Sequence, residues 1–561
     1  MFTNKRALTL TLLLLFSLFQ PFNPVTSAQQ TSSRNRKVTA AEVATPKPSP
    51  SPVPSPIAGP TASPIPSPQA SPSPKVATTT QTLAELQARI SEILQKPALA
   101  QAMVGIKVAS LDTGRVLFEA NANKLLRPAS NMKLYTVAAA LDRLSPDYHF
   151  VTSVYARGKP DSAGTIRGDL TIYGRGDPSL AARFNNGNYF KGIDDLAARI
   201  VAAGVKRVEG DLVGDETYFT GAPYGSGWNW DDLQWWYGAE VSALTVNDNA
   251  LDLSIKPGMQ VGAPAIVTTG PPDPLLRIVN KVTTAPKGTR RDFSAYRSLA
   301  SDELEISGTI GLDDRGYSGG IGISRPALLF AYLLRASLAQ QGVVIKGKTR
   351  TIPAAISNAL AGPPISGLVE LTTLQSPPLS LIAAQTLKPS QNLYTELILR
   401  TLGKVVSTAP TLPSIDRTSE TAGIEVVRAF LREAGVDATP LSLNDGSGLS
   451  RNDMITAEGT LQLLTYMRRH RYAAAFRDAL PIAGVDGTLR NRMRGTVAEN
   501  NVRAKTGTLS SASSLSGFVT TAAGEELVFS IMVNNYPEGT NPPSVCIDPI
   551  AILLASFAGK S

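Results

Sequence analysis

Histidine is almost missing from this chain: two residues in 561, His149 and His470. Hydrolysis by a Ser-His-Asp triad needs a histidine placed as the base, and neither suits that task. His470 sits in the cationic run Arg468-Arg469-His470-Arg471, which reads as a solvated face, and His149 precedes an apparent strand, which reads as a structural position. Cysteine is scarcer still. The single thiol, Cys546, rules out an intrachain disulfide, and the apolar segment that follows it, 547–557, makes it core filler more readily than a nucleophile. So few histidines and cysteines remove most zinc-ligand patterns, and neither a metal nor a cofactor is expected. A second long apolar run is also lacking. The first, over 7–19, follows Lys5 and Arg6, precedes the small residues Thr26-Ser27-Ala28, and falls short of the roughly 20 residues that span a bilayer. It reads as a signal peptide over 1–28.

Export to the periplasm or the extracellular space follows as an expectation, with the mature protein soluble or peripherally held at membrane or cell wall. The net charge of +9 then finds its counterpart in an anionic cell envelope, and nucleic acid is not an expected partner. Nothing in the sequence bears on oligomeric state. The length exceeds what one hydrophobic core usually supports, so several domains are expected.

Residues 46–74 contain 12 prolines in repeated Ser-Pro dipeptides, which marks 29–80 as a disordered spacer with polyproline II character. Folded structure is expected from Thr82, where Leu83, Leu86, Ile90 and Leu94 recur at helical spacing. Strand patterns follow over 104–111 and 116–120 around Asp112-Thr113-Gly114. Near the far end, 502–509, 514–520 and 527–534 read as strands and 545–557 as a closing helix. The two ends together could form one antiparallel sheet flanked by helices. Residues 130–141 are apolar enough to be a helix buried on most faces. Between 150 and 362 short glycine-punctuated strands take over, with one helix near 326–341, and this region reads as a mostly β insertion.

Without histidine, a nucleophile needs another base. Ser130-Asn131-Met132-Lys133 provides one at the start of the buried helix, because residues three apart share a face. Lys133 must be neutral to accept the Ser130 proton, and burial with a neighbouring cation promotes that state. A helix N-terminus also offers the Ser130 N–H to a developing oxyanion. Serine and lysine at this spacing are weak evidence alone. Downstream, however, stand Ser390-Gln391-Asn392 and Lys505-Thr506-Gly507-Thr508 in order, the signature set of β-lactamases and penicillin-binding proteins.

These motifs, with Arg127-Pro128-Ala129, Gly174-Arg175-Gly176-Asp177-Pro178, the segment 445–451 and the segment 484–489, resemble the class C low-molecular-mass penicillin-binding proteins. That family comprises D-alanyl-D-alanine carboxypeptidases and endopeptidases. The resemblance covers about residues 80–561 and implies an α+β fold: a serine β-lactamase-like catalytic domain, 81–150 and 363–561, with a sheet flanked by helices and a helical cluster. A β-rich inserted domain is expected over 151–175 and 243–362, with a second domain nested at 176–242. The middle motif departs from the common pattern, with Gln391 where relatives often carry Asp or Asn.

The resemblance and the chemistry together assign expected roles. Ser130 is the nucleophile, Lys133 its base and Ser390 a proton relay, while Asn392 orients Lys133 and the substrate amide. Lys505 and Thr506 bind the terminal carboxylate, Gly507 belongs to the same strand, and the N–H groups of Ser130 and Thr508 hold the oxyanion. All four tryptophans lie in 228–236, a segment that could simply plug two domains together. The family places an acid and an aromatic five apart to read a free diaminopimelate end, which maps to Asp232 and Tyr237, and Arg451 could line the same region. Expected partners are peptidoglycan stem peptides and β-lactams. A β-lactamase or a non-catalytic cell-wall binding protein remains the alternative.

Overall fold

The computed structural model describes residues 80–271, 273–298, 301–354, 365–406 and 417–561. The signal-peptide and spacer readings lie outside the described residues.

The two ends of the described chain meet in one five-stranded antiparallel sheet. Its order is Arg503–Leu509, Ala512–Thr520, Glu526–Asn534, Met103–Ser110, Val116–Ala120. Met103 pairs with Asn534 and Ser110 with Leu527, so an N-terminal strand lies beside a C-terminal one without a break in register. Alternation along the strands explains why the sheet is covered on both sides. Val104, Ile106 and Val108 with Phe529, Ile531 and Val533 face the helices Leu83–Leu94 and Asp548–Ala555. Val528, Met532 and Phe518 face the opposite way, into a cluster of six helices. The closing helix is shorter than expected, because Pro543–Ile547 forms a π-helical turn ahead of it.

The helical cluster surrounds Met132–Leu144, which is buried at ten consecutive positions from Met132 to Leu141. Such a helix has no polar stripe to show to water and belongs at a domain centre. It begins later than expected. Ala129–Asn131 is a 3₁₀ turn, so Ser130 stands on the turn that leads into the helix. Leu379–Leu387, Asn392–Val405, Ser419–Glu433, Ala457–Arg469 and Ala473–Ala479 complete the cluster.

The insertion is built mostly of strands. Its larger sheet has the order Thr349–Ile352, Leu212–Asp215, Leu170–Tyr173, Val151–Ala156, Val369–Gln375, with the first three parallel and the last two joined antiparallel. The helix Lys191–Ala202 carries the chain between two of the parallel strands and packs on Pro326–Gln340, as parallel pairing requires a crossover. Two three-stranded sheets fill 250–322.

Pairing groups the insertion differently from the expected division. Leu212–Asp215 lies between Leu170–Tyr173 and Thr349–Ile352, and one hydrophobic core runs from Val154 to Ile345. The strands Arg207–Val208 and Leu212–Asp215 pair only with strands outside 176–242, and the larger sheet takes in Val369–Gln375, beyond the expected limit of 362. Local strand patterns do not reveal which distant strand will supply the partner.

Candidate active site

Three segments converge where the helical cluster meets the edge strand Arg503–Leu509. The turn Ala129–Asn131 brings Ser130, half-buried, to the mouth of the site. Ala129 has a φ of 47°, a left-handed value that a residue with a Cβ adopts only when its surroundings enforce it. The enforcement is visible. Ser514 Oγ donates to the Pro128 carbonyl at 2.7 Å, and Asn131 Nδ2 donates to Ser516 Oγ at 2.7 Å, tying the turn to the sheet. Gly507 lets the edge strand press against it. A Cβ there would stand 2.2 Å from Ser514 Oγ and 2.5 Å from the Pro128 carbonyl.

Lys133 lies on the first turn of the buried helix with no exposed surface. Its Nζ is 2.9 Å from Ser130 Oγ, 2.6 Å from Asn392 Oδ1 and 2.7 Å from the Ser447 carbonyl. Burial lowers its pKa to about 7, against the opposing pull of the Asp445, Glu396 and Asp453 carboxylates. A lysine in this state is half neutral near pH 7 and can take a proton from a hydroxyl 2.9 Å away.

Ser390 precedes the helix Asn392–Val405, which Gln391 caps by accepting from the Leu393 N–H at 3.2 Å. That cap is a local use for the Gln391 that departs from the common motif. Ser390 itself has a φ of 65° and receives a hydrogen bond from Lys505 Nζ at 2.8 Å. Lys505 also donates to the Thr506 carbonyl at 2.8 Å, and burial followed by the Lys133 charge holds its pKa well below the lysine range. Thr506 Oγ1 donates to Thr488 Oγ1 at 2.7 Å, while Thr508 is exposed. Ser130, Lys133 and Asn392 thus form one hydrogen-bonded group and Ser390 with Lys505 a second, the two lysines lying close enough for one charge to act on the other.

The tryptophan-rich segment reaches this centre. Asn392 Nδ2 donates to the Tyr237 carbonyl at 2.8 Å, and Arg451 Nη1 lies 3.2 Å from Asp232 Oδ2. Trp235 packs on the insertion core and Trp236 lies against Gly320, so these contacts anchor the segment within the insertion. Trp230 is exposed.

Sequence reasoning treated 445–450 only as supporting pattern and overlooked Glu396. Asp445, Ser447, Asp453 and Glu396 are all fully buried around Lys133. A glutamate inside the apolar run of Asn392–Val405 was the available signal. The histidines stand apart. His149 Nδ1 is 2.6 Å from the Ser376 carbonyl. His470 Nε2 is 2.9 Å from Asp142 Oδ1, in a cleft of about 690 Å³ that contains none of the motif residues. Cys546 is buried, which pushes its thiol up to about 12. No cluster of metal-ligating side chains occurs among the described residues.

The D-Ala-D-Ala carboxypeptidase 3 (S13) family matches this chain over residues 86–557. The chain belongs to that family. A D-alanyl-D-alanine carboxypeptidase of Actinomadura sp. is 35% identical over 490 residues, covering 85% of this chain and 86% of the relative. A D-alanyl-D-alanine carboxypeptidase of Haemophilus influenzae is 25% identical over 447 residues, covering 78% of this chain and 86% of the relative. Among solved structures, penicillin binding protein 4 from Haemophilus influenzae shares the fold with a TM-score of 0.68 at 23% identity, over 82% of this chain and 97% of that one. The S13 match extends across the insertion as well as the segments on either side of it, and the α+β fold is that of its structural relatives.

Proposed function

We propose that this chain is an exported serine D-Ala-D-Ala carboxypeptidase, with D,D-endopeptidase activity on the same acylation step, acting on peptidoglycan stem peptides. The observation that carries this reading is the buried Lys133 Nζ at 2.9 Å from Ser130 Oγ with its pKa lowered to about 7.

In the proposed reaction Lys133 accepts the Ser130 proton as Oγ bonds to the carbonyl carbon of the penultimate D-alanine. The N–H groups of Ser130 and Thr508 hold the oxyanion. Ser390, in contact with Lys505, relays to the leaving amine the proton that Lys133 took up, which returns Lys133 to its neutral form as the C–N bond breaks to release D-alanine. Water then attacks the acyl-enzyme, giving its proton back through Lys133, and frees Ser130. Lys505, Thr506 and Gly507 receive the terminal carboxylate, and Asn392 holds Lys133 while facing the substrate amide. On the acyl side, Asp232, Tyr237 and Arg451 contact the stem-peptide side chain. Asp232 is the acceptor for a terminal ammonium, and Arg451 holds its carboxylate in place beforehand. β-Lactams present a strained carbonyl at the same point and acylate Ser130.

Intact-mass analysis after incubation with a labelled penicillin tests the reading. A single long-lived adduct located on Ser130 and absent from Ser130→Ala is expected. Labelling that persists in Ser130→Ala overturns it, and rapid release of the adduct favours a β-lactamase. Incubation with defined muropeptides separates loss of terminal D-alanine from cleavage of cross-links.

A further inference from the structure

Asp445 lies outside the three motifs and touches neither Ser130 nor Lys133 in any hydrogen bond described above, yet its surroundings are unusually complete. It is fully buried, and five donors converge on its carboxylate. Oδ1 accepts from the Gly448 N–H at 2.7 Å. Oδ2 accepts from Ser447 Oγ at 2.9 Å, the Leu449 N–H at 3.0 Å, the Ser450 N–H at 2.9 Å and Trp228 Nε1 at 2.8 Å. Three successive backbone N–H groups turned toward one carboxylate wind 446–450 into a tight loop.

That loop controls both members of the Ser-Lys pair. Its Ser447 carbonyl accepts from Lys133 Nζ at 2.7 Å. Gly448, at a φ of +78°, lies so close to the serine turn that a Cβ would stand 1.9 Å from the Ala129 carbonyl. Thr136 Oγ1, one turn beyond Lys133, donates to the Gly446 carbonyl at 2.8 Å, and Glu396 Oε1 accepts from the Gly446 N–H at 3.0 Å. Trp228 brings the inserted segment to the same carboxylate.

We propose that Asp445 is a positioning residue for acylation, its carboxylate folding the 446–450 loop so that the Ser447 carbonyl fixes Lys133 Nζ beside Ser130 Oγ. This rests on the reading of Lys133 as the base. The charged and titratable groups around Lys133 are Glu396 on Asn392–Val405, Asp445 and Asp453 on the loop, and Lys505 on the edge strand. Burial holds Glu396 and Asp453 well above the usual carboxylate range, with the Asp445 charge adding to the effect. After burial itself, Asp445 is the strongest influence on Lys133, and it favours the protonated form.

Asp445→Asn keeps the shape and removes the charge. An amide offers one acceptor atom and one donor, so at least one of the five donors is left facing another. The acylation rate with a labelled penicillin is expected to fall at least about tenfold, with the loss in the maximal rate and not in the binding constant. The rising limb of its pH profile should move to lower pH, because Lys133 has lost a neighbouring anion. A folded variant with wild-type rate and limb overturns the proposal. So does a loss confined to binding with the limb unmoved, the behaviour of a purely structural cap. If Asp445→Asn fails to fold, Ser447→Ala and Trp228→Phe each remove one donor and keep the charge. Each is then expected to slow acylation about threefold to tenfold, and wild-type rates in both overturn the proposal. Lys133→Ala is the control for the underlying reading. Normal acylation by that variant sinks the base assignment, and the proposal with it, whereas normal acylation by Asp445→Asn sinks only the proposal.

Discussion

The strand Glu526–Asn534 in the catalytic sheet is buried at eight of nine positions, whereas Asp292–Tyr296 in the insertion alternates between exposed and half-buried. The first lies between two helical layers, and the second belongs to a three-stranded sheet that water reaches on one side. The difference follows the chemistry. Lys133 and Lys505 depart from ordinary lysine behaviour because burial penalises their charge, and only a scaffold covered on both faces keeps water from them. The insertion has no comparable duty along most of its length. It reaches the centre through 227–238, and a half-wet sheet is a sufficient platform for that.

This contrast can be broken most severely at Lys133. Lys133→Ala is expected to lower the rate of penicillin acylation by roughly 10²–10⁴, the range typical of a lost general base. Its thermal melting should stay near wild type, and near-normal acylation would remove the reason for so dry a scaffold.

Matched truncations compare the two regions in stability. Ile531 is fully buried in the catalytic sheet, and Ile278 is a partly buried residue at the margin of the insertion core. Ile531→Ala should cost about 2–5 kcal/mol and Ile278→Ala about 1 kcal/mol in denaturant unfolding monitored region by region. Equal costs would mean that the insertion is as tightly packed as the catalytic sheet.

Acylation should also depend on pH through Lys133. The lysine is a base only when neutral, so with a pKa of about 7 the rate rises with pH and levels off above it. At pH 5 it should be roughly one-hundredth of the plateau, measured with the labelled penicillin across a buffer series. A limb near the ordinary lysine value would show that burial does not set the proton affinity.

The smallest effect sharpens the insertion's part in the site. Asp232→Ala should slow cleavage of peptides that carry a free terminal ammonium by about tenfold to hundredfold. Simple acyl-D-Ala-D-Ala substrates should change little. Equal losses on both would make 227–238 a structural plug.

How much of this was legible beforehand differs by element. The helix at Leu83, Leu86 and Ile90 and the three C-terminal strands were readable because their apolar spacing is local and strongly periodic. Ser130, Lys133, Ser390, Asn392 and Lys505 were readable as ordered motifs, and the structure joins Lys133 to Ser130 and Asn392, and Lys505 to Ser390. The division of the insertion was not readable, because Leu212–Asp215 finds partners about forty residues before it and about 137 residues after it. Glu396 and Asp445 were not singled out either. Glu396 had only the apolar run around it as a signal, and Asp445 stands in a polar, glycine-rich stretch with no local pattern that separates a buried acid from a solvated one.

The sequence by itself determined which residue types were available for chemistry. With two histidines and one cysteine, the pairing of serine with lysine was the remaining route to a nucleophile. It also determined where apolar periodicity would build helices and strands. Only the tertiary structure decided that Lys133 is dry, that the Ser447 carbonyl and Asn392 hold it, and that the Ser130 turn is pinned by Ser514 and Ser516. Those facts depend on segments hundreds of residues apart meeting at hydrogen-bond distance. Proton affinity is set by the surroundings of a group and not by its identity, so it could be read only after the chain had folded around it.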